Sequence, residues 1–355
     1  MLVWSKLVER TKFLEFCFGC QTILEKAASK GKLTGKMQWR EVRIFANNFV
    51  EVIDRDNLLK CSLCPRGCGA NRSIGSGVCK SPGTPLVSSV VVHRGEEPVL
   101  SGEKGMCNVF FAHCNLQCVY CQNHQISRNT LMNQEWRMSV NTVAEEICRL
   151  LSSGIKMLGF VSPSHQVVQM LEIIELVKEA GYSPRIIYNS NGYDSVDTLR
   201  QLEELVDVYL PDFKYINPEL GKRFSGVDNY PDVAVKAIRE MYRQKGSSLL
   251  VEDGGLVESG MIIRHLVLPG FTGESIKLLR FLADEFSPRI HLSLMSQYYP
   301  PAGIELQPPL NRTLTEEEYM EVVEVAQEIG FRGWIQDTES FRSYQPDFSR
   351  SNPFE

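Results

Sequence analysis

A chain of 355 residues with 43% hydrophobic and 23% charged residues has a globular composition, which excludes wholesale disorder and allows a large core. Its formal net charge of −5 argues against a predominantly electrostatic nucleic-acid binder, so no nucleic acid is expected as partner. No apolar run reaches the roughly 18 residues that a spanning helix needs, so no membrane segment is expected.

Residues 1–60 are of mixed polarity and read as a helical N-terminal extension with a loop at "KGKLTGK". The opening stretch, interrupted by Lys6, Glu9, Arg10 and Lys12, offers no apolar signal region, so a cytoplasmic location is expected. Cys17 and Cys20 have the spacing of a redox pair but no strand–helix context to support one. Eleven cysteines are many for such a chain, and most fall in two groups. Tight clusters without a secretory signal point to metal or redox chemistry more often than to a disulfide framework.

The first group lies in residues 61–95, where "CSLCPRGCGANRSIGSGVC" sets Cys61, Cys64, Cys68 and Cys79 at the spacing C-x2-C-x3-C-x10-C. The stretch has too few apolar side chains for a core of its own, and bound metal would supply the missing stabilisation. Four thiolates hold either zinc or a second [4Fe–4S] cluster, with a partial site as the remaining option. Arg66 and Arg72 are suited to satisfying carbonyls or offsetting thiolate charge. "HRGEEP", residues 93–98, follows; a solvated loop is the simpler expectation for it, with His93, Glu96 and Glu97 facing a cavity as the alternative.

From about residue 106 a rhythm begins. "MCNVFFA", "KMLGFVS", "RIIYNS", "VDVYLPDF", "MIIRHLVLP" and "RIHLSLMS" read as strands buried on both faces. Helices are predicted between and after them over 141–153, 164–180, 195–205, 231–245, 273–286 and 315–329. Thr142 with Glu145, and Thr315 with Glu318, have capping-box spacing, and Val167, Met170, Leu171, Ile174 and Val177 mark one buried helix face. These units predict an α/β fold, an incomplete parallel (β/α)6 barrel over residues 96–300 with an N-terminal Cys-rich extension. Residues 301–355 would form a C-terminal helix and tail packed on it. A full eight-fold barrel needs about 250 residues; a flat doubly wound sheet is the competing topology.

"CNLQCVYC" follows the first of these strands, at the carboxyl end where parallel α/β folds place their chemistry. Cys114, Cys118 and Cys121 can converge from one short loop. Three thiolates hold three irons of a [4Fe–4S] cube and leave the fourth open to an exogenous ligand. Zinc with His113 or His124 as fourth ligand is the alternative. Cys107, on the strand, and Cys148, mid-helix, read as small hydrophobes.

The motif resembles the cluster loop of the radical S-adenosylmethionine (SAM) superfamily. The likeness spans roughly residues 95–300. "NSNGY" (189–193), "LPDFKY" (210–215) and "IIRHLVLPGFTGES" (262–275) are similar to motifs of glycyl-radical activating enzymes, and the upstream cysteines to uncharacterised homologues of pyruvate formate-lyase activating enzyme. The resemblance implies a [4Fe–4S] cluster on Cys114, Cys118 and Cys121, with S-adenosylmethionine on the open iron and Tyr120 against its adenine. It further implies that Asp212 and Lys214 meet its carboxylate or ribose or a nearby cation, and that Ser190 and Asn191 meet its methionyl end. An ion pair and an Asx turn are the structural alternatives. Arg264, costly to bury unpaired, would meet a carboxylate ligand or an internal Asp.

Two departures stand out. The family's GGE-type segment is replaced by "VSPSHQ", so Ser162, Ser164 or His165 would have to grip the amino group. A family histidine after the sixth strand is replaced by "SQYYP", leaving Gln297 or Tyr298 as substitutes. The expected activity is reductive cleavage of S-adenosylmethionine to a 5′-deoxyadenosyl radical that abstracts hydrogen from a substrate. The expected partners are an electron donor such as flavodoxin or ferredoxin and a protein or peptide substrate. A non-catalytic electron carrier or zinc scaffold is the competing class.

Overall fold

The computed structural model describes residues 53–342 and 344–355; the expectations for most of residues 1–60, and for Cys17 and Cys20, lie outside them. Nine strands form one sheet: β1 (Val87–His93), β2 (Met106–Phe111), β3 (Met157–Val161), β4 (Arg185–Ser190), β5 (Val208–Pro211), β6 (Leu250–Val251), β7 (Val257–Leu266), β8 (His291–Met295) and β9 (Arg332–Ile335). Pairing runs β1-β2-β3-β4-β5-β7-β8-β9, with β6 antiparallel on β7. From β2 to β9 the path is parallel, while β1 is antiparallel to β2. The path does not return on itself, so the barrel is incomplete. All six strands read from the sequence are present, and β9 extends the parallel set by one.

Among the described residues, the helices of six residues or more are α1 (Val140–Leu151), α2 (Val167–Glu179), α3 (Val196–Gln201), α4 (Tyr230–Lys245), α5 (Thr272–Glu285) and α6 (Glu316–Ile329). Val167, Met170, Ile174 and Val177 of α2 are buried as the spacing requires, and Leu171 packs at the margin. Burying one such side chain is worth about 1.5–3 kcal/mol, well beyond the tenths that helix propensity offers. Thr315 and Glu318 form the expected capping box of α6, and Gly330 ends it in the left-handed conformation. The cap of α1 differs: Ser139, not Thr142, accepts the Thr142 amide, because Thr142 already lies inside the first turn.

Strand alternation divides the sheet into two faces. One carries Cys107, Val109, Leu158, Phe160, Ile186, Tyr188 and Ile263 into a core shared with the helices. The other carries Met106, Met157, Ile187, Val208 and Ile262, which pack with Leu100 from the one-turn helix Pro98–Ser101. The register aligns the carboxyl ends: Phe110 opposite Val161, Val161 opposite Asn189, Ser190 opposite Pro211, Leu266 opposite Met295 and Leu294 opposite Ile335. A bridge sets Asp212 beside Arg264. Every side chain following or closing these strands therefore meets at one rim.

Two buried histidines brace that rim. His165 Nε2 lies 3.1 Å from the Ala112 carbonyl, and His265 donates from Nδ1 to the Phe213 carbonyl at 2.7 Å while Nε2 meets Ser275 Oγ at 2.9 Å. Burial pushes their pKa values down, to about 3 and about 4. Both therefore stay neutral in the native state while the unfolded chain protonates them below its ordinary value of 6.5. The unfolded state then binds more protons, and stability should fall as pH drops from about 6.5 toward about 4, by up to about 1.4 kcal/mol per pH unit for each histidine. Urea midpoints measured across that window should decline, and His265→Gln should flatten the decline.

Among the described residues no helix is long and apolar enough to cross a membrane.

Candidate functional site

A cavity of about 440 Å³ opens at the carboxyl ends of the strands. Cys114, Cys118 and Cys121 line it from the loop after β2, with Tyr120, Ser162, Asn191, Asp212, Lys214, Arg264 and Gln297. Each cysteine sulfur has a hydrogen-bonding side chain from a different place in the fold. Asn191 Nδ2 donates to Cys114 Sγ at 3.3 Å, Ser225 Oγ lies 3.0 Å from Cys118 Sγ, and Ser127 Oγ donates to Cys121 Sγ at 3.2 Å. The Leu116 amide adds a second donor to Cys114, at 3.4 Å.

As free thiols Cys114 and Cys118 resist ionisation. Burial pushes Cys114 up to about 12 and Cys118 up to about 11, and neighbouring thiols add to it. Removing those protons needs a cation, which is what a metal centre supplies. Among the described residues no three thiol, imidazole or carboxylate groups are closed to single-ion bonding distance. A cubane spreads its thiolates over separate corners and requires sulfurs facing one shared space, which this cavity provides. The donor set fits a [4Fe–4S] cluster.

Asn191 forms the Asx turn anticipated as an alternative: its Oδ1 accepts from the Tyr193 amide at 2.9 Å. The same side chain still reaches Cys114. Gly192 has φ of +81°, and a Cβ there would collide with the Asp212 carbonyl, so no other residue fits this crossing. Lys214 Nζ pairs with Asp212 Oδ2 at 2.7 Å; burial disfavours the ammonium, but Asp212 reverses this and raises its pKa. Tyr120 sits in an aromatic nest with Tyr215, Phe224 and Tyr298, and its hydroxyl meets that of Tyr215. Tyr215 in turn lies 3.0 Å from Ser225 Oγ, so a hydroxyl chain ends at Cys118.

Ser162 adopts the left-handed conformation, φ 50°, at the cavity edge. Ser190 and His165 do not line the cavity. Ser190 Oγ bonds Asp194, a buried carboxylate that also accepts from Ser164 and Tyr188, and it receives the Gly192 amide at 2.8 Å. Gln297 faces the cavity within a Gln122–Gln297–Gln336 network, whereas Tyr298 turns its hydroxyl to the Leu310 carbonyl. His113 Nε2 is committed to the Leu131 carbonyl at 2.8 Å.

The "HRGEEP" segment is not a solvated loop. Glu96 and Glu97 are buried at the cavity and both bind Arg264, which explains a guanidinium inside an apolar strand. Sequence spacing could not pair residues so far apart; two adjacent acids before the first parallel strand were the one available signal. The cavity also takes Trp334 and Ile335 from β9, Gln336 just after it, and Tyr344, Pro346 and Phe354 from the tail. These contributions lay beyond the six units read from the sequence.

The upstream cysteines sit against the cluster loop. Cys61, Cys64 and Cys79 are buried and Cys68 is exposed. Burial first, then Cys79, Cys61 and Cys68, push Cys64 up to about 12, so the four sulfurs share one neighbourhood. Arg72, 1% exposed, donates to the carbonyls of Ser81, Pro82 and His165. Arg66 Nε donates to the Asn115 carbonyl at 2.8 Å, one residue from Cys114. Asn129 donates to both Val78 and Cys114 carbonyls.

Residues 108–282 match the radical SAM superfamily. An uncharacterized protein of Methanocaldococcus jannaschii is 31% identical over 279 residues, 76% of this chain and 75% of that protein. Among solved structures, native anSMEcpe with bound AdoMet has a TM-score of 0.44 at 15% identity, covering 63% of this chain and 61% of its own, so the chain spans less than two thirds of it. A radical SAM methyltransferase from Sphaerobacter thermophilus has a TM-score of 0.46 at 12% identity, covering 70% of each chain. With three cysteines of the cluster motif facing a cavity at the carboxyl rim of a parallel sheet, this chain belongs to the radical SAM superfamily.

Proposed function

We propose that the protein reductively cleaves S-adenosylmethionine and abstracts hydrogen from a substrate at the cavity, in the manner of an activase acting on a protein or peptide. The observation that carries this reading is the shared cavity of Cys114, Cys118 and Cys121, supplied by one loop that offers three sulfurs and not four. When bound, the [4Fe–4S] cluster supplies the electron for S–C bond cleavage. The chain's part is binding, orientation and exclusion of water.

Cys114, Cys118 and Cys121 would hold the cluster. Asp212 and Lys214 present a carboxylate and an ammonium that would meet the polar groups of S-adenosylmethionine, Asn191 and Ser162 would meet its methionyl side, and Tyr120 would lie against the adenine. Ser190 and His165 act from behind as positioning groups, holding the Gly192 turn and the end of β2. Arg264 is engaged by two acids, so its guanidinium braces Glu96 and Glu97 and is not offered to the cofactor. The motifs in "PDFK" and "RHLVLPG" support the activase-like reading. An electron donor such as flavodoxin or ferredoxin would feed the site.

Cys61, Cys64, Cys68 and Cys79 are proposed to hold a second cluster or zinc, joined to the cluster loop through Arg66 and Asn115. Iron near eight per chain after anaerobic purification supports two clusters, and near four with one zinc supports the structural metal. The function itself is tested by anaerobic incubation with dithionite and S-adenosylmethionine. Release of 5′-deoxyadenosine is expected; an intact cluster without release returns the carrier class.

Ser225 gives a finer test. Hydrogen bonds to ligand sulfur favour the reduced cluster, so Ser225→Ala should shift the midpoint potential to more negative values, on the order of tens of millivolts. Potentiometric titration followed by EPR reads the shift directly.

A further inference from the structure

The cavity carries an unbalanced charge at the end built by the segment before β2. Its lining holds three carboxylates, Glu96, Glu97 and Asp212, against two cations, Lys214 and Arg264, the cysteines aside. Asp212 and Lys214 satisfy each other. Glu97 faces Arg264 through both of its oxygens, to Nε and Nη2. Glu96 also binds Arg264 Nη2 and accepts from Asn108 Nδ2 at 2.8 Å, so two acids share one guanidinium and this end of the lining keeps one net negative charge. A second cation arriving there would give each acid a partner of its own.

A second observation points the same way. His93 lines the same end, is only 9% exposed, and neither ring nitrogen has a hydrogen-bond partner among the described residues. Its ring centroid lies 3.9 Å from that of Phe354, the two planes tilted by 37°, and Phe354 supplies an aromatic wall. A carboxylate acceptor, an unused imidazole nitrogen and a ring face together suit one kind of group, a compact organic cation with several N–H donors. S-Adenosylmethionine would not provide it: in the function proposed above its methionyl end would meet Asn191 and Ser162, not this end of the cavity.

We propose that His93 and Glu96 form a substrate subsite for a cationic nitrogen, an alkylammonium of the lysine or polyamine type. Glu97 and Arg264 hold Glu96 in place from behind, and Asn108 fixes its rotation. The assignment of the occupant as substrate rests on the function proposed above; the cation site itself does not.

The test uses the full-length chain, anaerobically reconstituted with iron and sulfide and supplied with S-adenosylmethionine. Binding of n-butylammonium and of butan-1-ol is measured by calorimetry or ligand-observed NMR. The ammonium should bind more tightly than the alcohol, by about tenfold or more, the scale of one surplus charge contact. Glu96→Gln, which is isosteric, and His93→Phe, which keeps the ring against Phe354, should each reduce that preference by at least about fivefold. Equal binding of the two probes by the parent protein overturns the proposal without any variant. So does a preference that survives Glu96→Gln. Release of 5′-deoxyadenosine is scored separately in the same samples. Cleavage without ammonium preference rejects the subsite alone, whereas preference without cleavage rejects the function and leaves the subsite standing.

Discussion

Cys118→Ala, reconstituted anaerobically, should release no measurable 5′-deoxyadenosine, a loss beyond the roughly hundredfold that outer-shell changes at metal sites produce. Cys118 reaches the cavity from the middle of the loop and has its own donor in Ser225. Without its thiolate a cube would lose one of the three protein bonds that hold it. Cys148→Ala is the matched control. That thiol sits on α1 outside the cavity, and its replacement should leave both iron content and cleavage at the parent level. Iron content, the EPR signal of the reduced cluster and nucleoside release are measured together, and equal losses in both variants would sink the ligand assignment.

Arg264→Met should be the most destabilising single change at the cavity. It strips the counterion from Glu96 and Glu97 while both remain buried, and breaking a buried pair in this way costs about 3–5 kcal/mol. Burial alone would push Glu96 up, but Arg264 first, then His93 and Asn108, outweigh it and hold its carboxyl below the usual range. A carboxyl with a depressed native pKa stabilises above its unfolded value of 4.5, and that contribution disappears as pH falls through the native one. Arg264→Met should thus lose most stability near neutrality and less in acid. The triple variant Glu96→Gln, Glu97→Gln, Arg264→Met should recover much of the loss. Urea midpoints at constant slope measure both effects.

The six parallel strands were legible because each is apolar on both faces and bounded by a helix with a clear buried stripe. The cluster loop was legible because its chemistry depends on spacing within eight residues. What the sequence hid depends on contacts between distant segments. Arg264 and its acids stand about 167 positions apart, and only the sheet register brings them together. Ser225 and Ser127 are common residue types with no local signature, so their approach to Cys118 and Cys121 emerges only from the fold. β9 was obscured by its composition: Arg332, Gly333, Trp334 and Ile335 form a partly exposed edge rather than an apolar run. Ser190 Oγ and His165 Nε2 illustrate the opposite case, polar atoms at motif positions that are already spent on internal partners.

The aromatic residues near the chain's end bear on traffic. Phe348 and Phe354 pack on Phe110, and Phe354 also covers His93. A reactant entering on this side would have to displace these rings, the more so the bulkier it is. Trimming residues 344–355 should then widen the clientele without touching a single sulfur.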